Sequence, residues 1–160
     1  MSDDNEVEVQ QHISFGAIMS KQSFINNPLF PDQLKTTIAD SGYYLLVFVP
    51  GTEQAKINVF PIHSPSVRKI LVRLNNFSPT LVRGISEVLK ELNLNNNLIH
   101  TTGLCFSDER GCFYETYVDF HNLDEINLSE DQIKERFMAL SKVKEVCILP
   151  VSATKCETEN

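Results

Sequence analysis

The residues that could do chemistry in this chain are few, and they fall between positions 100 and 121. His100, Cys105, Asp108, Glu109, Cys112, Glu115 and His121 are the candidates for a nucleophile, a base or a metal ligand. None of them pairs a nucleophile with a base at a known catalytic spacing. Glycine-rich phosphate loops, HExxH and paired-carboxylate signatures are all missing. The sequence therefore predicts neither an enzyme nor a bound cofactor or metal. A second kind of chemistry is available at Asn75-Asn76-Phe77-Ser78-Pro79, where a strand gives way to a helix. Outward-facing amides at a helix N-terminus attract carboxylates, so a ligand at this turn is one reading. A capped strand-to-helix turn with no ligand accounts for the same residues.

The four cysteines are Cys105, Cys112, Cys147 and Cys156, with no CxxC pair and no zinc spacing. With an acidic N-terminus that does not resemble a secretory signal, reduced thiols are the default expectation. A disulfide between Cys105 and Cys112, which flank a predicted turn, is the alternative.

The turn is positioned by the elements on either side. Ile70, Val72 and Leu74 alternate with Lys69 and Arg73, which predicts a half-buried strand. Ser78 suits an N-cap and Pro79 the first helical position. Leu81, Val82, Ile85, Val88, Leu89 and Leu92 then recur as one apolar stripe, opposite Arg83, Glu87, Lys90 and Glu91. After the turn-rich Asn93–Asn97, two strands are expected over Leu98–Phe106 and Cys112–Phe120, joined by a loop ending in Gly111. On the second strand Cys112, Tyr114, Val118 and Phe120 share one face. The other face mixes Phe113, Glu115, Tyr117 and Asp119, a pattern that suits a surface partly covered by a second sheet or subunit, or an amphipathic solvent face with two aromatic cross-strand partners. Ser129 and Gln132 form a capping-box pattern that opens a last helix, with Ile133, Phe137 and Leu140 as its stripe. Glu145–Val151 closes the order as a strand.

Upstream, a short strand is expected within His12–Met19, a loop over Lys21–Pro31 and a short helix over Asp32–Asp40 with Gly42 as its C-cap. Tyr43–Val49 is apolar throughout and should be covered on both faces. It forms a hairpin with Ala55–Ile62, whose Pro61 belongs on an edge or at a bulge. His63-Ser64-Pro65-Ser66 reads as a linker. The expected organisation is a disordered acidic tail over 1–11, an N-terminal α+β segment with a β-hairpin over 12–66, a second unit over 67–151 and a polar tail over 152–160.

Composition bounds the function. An apolar fraction of 42% supports a core, and 14 basic against 21 acidic residues give a net charge of −7. No Lys or Arg run exists, which argues against direct nucleic-acid or anionic-membrane binding. Residues 1–66 carry seven acids against three bases, so a DNA-binding helix-turn-helix there is not expected. With no apolar run of spanning length, the expected location is the cytoplasm.

The strand-helix-strand-strand-helix-strand order from residue 68 predicts an α+β, ferredoxin-like βαββαβ antiparallel sandwich with both helices on one face. The stretch Ser78-Pro79-Thr80-Leu81 running into the helix resembles the opening of an ACT domain. Pro79, Leu81, Ile85, Ser86, Val88 and Leu89 match that pattern, and Asn93-Leu94-Asn95 stands where the family often turns. Thr80 replaces the usual glycine, and Asn76 or Phe77 stands where aspartate is common. The resemblance covers 68–151. It implies a regulatory, non-catalytic module that binds a small ligand, an amino acid, at the interface of a homodimer or higher homo-oligomer. The site residues it implies are Asn75, Asn76, Phe77, Ser78 and Thr80 on the turn, with Asn97 and His100 near the next strand. The alternative is a dimerisation or protein-partner domain that needs no ligand.

Overall fold

The computed structural model describes residues 13–123 and 125–151. It is an α+β arrangement of two antiparallel sheets and four helices. In chain order these are β1 (Phe15–Ser20), α1 (Lys21–Ile25), α2 (Asp32–Thr37), β2 (Tyr43–Val49), β3 (Lys56–Ile62), β4 (Val67–Leu74), α3 (Pro79–Glu91), β5 (Leu98–Cys105), β6 (Cys112–Asp119), α4 (Glu130–Met138) and β7 (Val143–Pro150). The expected tails, His12 and Cys156 lie outside the described residues. No helix among the described residues is long and apolar enough to cross a membrane.

The first sheet has the order β1-β2-β3. Its centre is the apolar Tyr43–Val49 run, and both faces are covered as the run predicts. Leu45 and Val47 face the second sheet, while Tyr44 and Leu46 pack with Phe24 on the outside. Phe24 belongs to α1, a five-residue helix where the sequence predicts loop. Its start is set by Ser20, whose hydroxyl accepts from the Ser23 amide. The next helix ends at Thr37, with Ile38 extended as its C-cap. Gly42, the expected cap, instead accepts from the Lys21 amide through its carbonyl. Pro61 sits on β3, an edge strand, where its missing N–H disturbs no ladder.

The second sheet has the order β5-β6-β4-β7, with every neighbouring pair antiparallel. Helices α3 and α4 cover the same face. Leu81, Ile85, Val88 and Leu89 of α3 and Ile133 and Phe137 of α4 share a core with Ile70, Val72, Leu74 and Val118. The Ser78 hydroxyl caps α3 by accepting from the Leu81 amide, and Ser129 and Gln132 form the expected capping box on α4. Gly111 has φ +78°, the left-handed conformation that the β5–β6 loop needs.

The opposite face of this sheet is not open. The β1-β2-β3 layer lies on it, so β4 is buried on both faces rather than half-buried. Lys69, expected on the wet side, is 4% exposed. The burial follows from partners that are distant in sequence. Val67 and Tyr117 join Leu45, Val47 and Ile62 in one apolar cluster between the layers.

Candidate functional site

A groove of about 520 Å³ runs between α3 and the edge strand β5, within the size range of small-molecule sites. Phe77, Val82, Ile85, Leu89, Leu98 and Tyr114 give it apolar walls, and Ser86, Asn95, Thr101 and Thr102 supply polar groups. Among the described residues no charged side chain lines it.

Register explains how the groove arises. Gly103 stands opposite Tyr114, and Thr101 opposite Thr116, on the helix-facing side of the sheet. A Cβ on Gly103 would come within 2.9 Å of the Phe77 ring. The glycine thus lets Phe77 fold down from the β4–α3 turn onto the edge strand, closing one end of the groove. Val82, expected in the buried stripe of α3, is 50% exposed because it lies on the groove wall. Thr101 Oγ1 and Thr116 Oγ1 are 2.8 Å apart, and Thr116 Oγ1 also donates to the His100 carbonyl at 3.3 Å. Burial raises the Tyr114 pKa, and the neighbouring Thr101 and Thr116 hydroxyls only partly oppose it. Tyr114 therefore stays a neutral donor and acceptor on the groove floor.

Of the residues implied by the resemblance, only Phe77 lines the groove. Asn75, Asn76 and Thr80 are exposed, and Ser78 is occupied in capping α3. Asn97 is built into the framework, its amide donating to the Asp119 carbonyl at 2.8 Å and to Asn122 Oδ1 at 2.7 Å. His100 faces the other layer, its ring centroid 5.2 Å from that of Phe60. Ser86, Asn95, Thr101, Thr102 and Tyr114 carry no sequence motif. The one available signal was Gly103 inside a strand, which marks a close approach by another group.

The catalytic candidates are dispersed. Asp108 is paired with Arg110, which holds its carboxyl below the usual range, and His121 Nδ1 lies 3.0 Å from Asp119 Oδ1. Among the described residues no group of three or more His, Cys, Asp and Glu is placed to hold a metal. Cys105 and Cys112 form a disulfide, in place of the reduced thiols expected. They are directly opposed in the β5–β6 register, a proximity that the loop length alone does not fix. Cys147 is also disulfide-bonded.

Glu115 is the most heavily used polar group. It is fully buried and accepts from Lys69 Nζ at 2.7 Å, from the Ile13 amide at 2.7 Å and from the Ser14 hydroxyl at 3.0 Å. Lys69 in turn donates to the Ser14 carbonyl at 2.6 Å. Ser14 Oγ also lies 2.9 Å from the Tyr117 hydroxyl. Burial lowers the Lys69 pKa, and the Glu115 charge opposes that shift. With both backbone groups and the hydroxyl of Ser14 engaged, this cluster joins the two layers and leaves little room for a substrate.

A scan of protein-family models finds no match to this chain, and a search of curated proteins finds no relative.

Proposed function

We propose that residues 67–151 form a non-catalytic regulatory module of ferredoxin-like plan, resembling ACT domains, that takes a small ligand in the groove between α3 and β5. The plan is supported by the strand order β5-β6-β4-β7 with α3 and α4 on one face. The observation that carries the ligand reading is the groove itself: apolar walls, a few hydroxyl and amide groups, and an open side along an edge strand. An apolar amino acid fits these features. Its side chain fills the walls, and Ser86 and Asn95 meet its polar end without a buried charge of their own. A second copy paired along β5 would close the open side, so ligand and assembly are coupled through differential affinity.

The test is thermal unfolding with each standard amino acid, alongside gel filtration. An apolar amino acid at roughly a hundredfold excess over its Kd should stabilise the fold by about 2.7 kcal/mol. Ser86→Phe, at an exposed helix position on the groove wall, should abolish the response while preserving the unliganded Tm. A second reading, a ligand-independent pairing domain, is favoured by Val82 and Leu104, which expose apolar surface at 50% and 43% beside that edge. A constant oligomer with no response to any amino acid would select it.

A further inference from the structure

The Cys105–Cys112 disulfide joins two residues with very different surroundings. Cys105 is exposed on β5, the outermost strand, while Cys112 is 4% exposed on β6 and packs into the main core. In the β4–β6 register Cys112 stands opposite Leu74, which is fully buried. Leaving Cys112 across the sheet through Cys105 leads off the sheet edge. The opposite direction, through Cys112, runs into β4.

Thiol–disulfide exchange proceeds by attack of a thiolate on one sulfur in line with the departing one. An incoming thiolate can reach Cys105 Sγ from beyond the sheet edge, with Cys112 Sγ leaving. Attack on Cys112 would need a path through Leu74 and the core around it. We infer that Cys105 is a site of reversible S-thiolation by a low-molecular-weight thiol of the glutathione class, with Cys112 as its resolving partner. In the forward step the thiolate forms a new S–S bond to Cys105, the Cys105–Cys112 bond breaks, and Cys112 keeps the electron pair as thiolate. In the return step the Cys112 thiolate attacks Cys105 Sγ, re-forms the protein disulfide and expels the small thiolate. A second small thiol, attacking the outer sulfur of the adduct, instead releases Cys105 as a thiol and leaves as a small-molecule disulfide.

Neither cysteine is among the residues that line the groove, so the inference does not rest on a ligand there. In a thiol-rich compartment such a pair cycles between states rather than standing as a fixed staple.

The oxidised protein is incubated with reduced glutathione, quenched at timed intervals with an excess of iodoacetamide under denaturing conditions, then peptide-mapped by mass spectrometry without reduction. The expected product carries glutathione on Cys105 and carbamidomethyl on Cys112. Glutathione on Cys112, or an intact Cys105–Cys112 bond after prolonged incubation, overturns the inference. The single variants give a separate readout. With oxidised glutathione, Cys105 in Cys112→Ser should react at least about tenfold faster than Cys112 in Cys105→Ser, following thiol access. Equal rates or the reverse order also overturn it.

Discussion

Tyr117 shows how one side chain ties stability to pH. Its ring is fully buried between the two layers, and burial, the largest cause, pushes its pKa from 10.0 up to about 12. The Glu115 charge acts in the same direction, and the Ser14 hydroxyl opposes it. A raised pKa means that the folded state holds its proton while the unfolded chain releases it. The contribution is therefore complete below pH 10 and is lost progressively as pH rises through about 12. At 1.36 kcal/mol per pKa unit the loss is on the order of 2–3 kcal/mol. Urea midpoints measured across that window should fall accordingly in the wild type and much less in Tyr117→Phe. An absorbance titration should show a tyrosine ionising near the top of the same range. A midpoint that does not change with pH would contradict the burial assigned to this ring.

Among the elements, α3 and β5 were the most legible as elements and the least legible as a site. Period and capping locate α3 closely, since Ser78, Pro79 and the apolar stripe are local signals. The space between helix and strand depends on which strand lies outermost and which residues oppose one another. Neither is written in one stretch of sequence. The residue types of the turn suit a ligand, yet its serine caps the helix and its phenylalanine packs on Gly103. That packing is testable. In Gly103→Val the new Cβ and its methyls would occupy the space of the Phe77 ring, which must swing away. Overpacking of this kind costs about 1–3 kcal/mol. The double variant Gly103→Val/Phe77→Ala should recover part of that loss, because it removes the clash partner. A double-mutant cycle by urea denaturation measures the coupling. Strict additivity would mean that the two residues do not touch.

At the scale of the whole molecule, the sequence predicts two pieces divided at His63–Ser66, and what it hides is how closely they are joined. The mixed face of β6, with Glu115 and Tyr117 among aromatics, suits either a covering layer or a solvent face. It does not choose between them or say that the cover comes from the same chain, because the partners Ile13 and Ser14 lie about a hundred residues away, at separations of 102 and 101. The buried Lys69–Glu115 pair does not by itself argue for high stability, since desolvation offsets much of its attraction. Its consequence lies in what happens when one partner is removed. Glu115→Leu leaves the Lys69 ammonium buried without its carboxylate and strips the Ile13 and Ser14 amides of their acceptor. Breaking a buried pair in this way costs about 3–5 kcal/mol. Both layers share the cluster around Leu45, Val67 and Tyr117, so the wild type should unfold in one transition. In Glu115→Leu, amide exchange in β1 should accelerate more than exchange in β4, because β1 loses its anchor while β4 keeps its helical cover. Equal acceleration in both strands would show that the first layer is held by its apolar contacts alone, and that the ion pair does not fasten it.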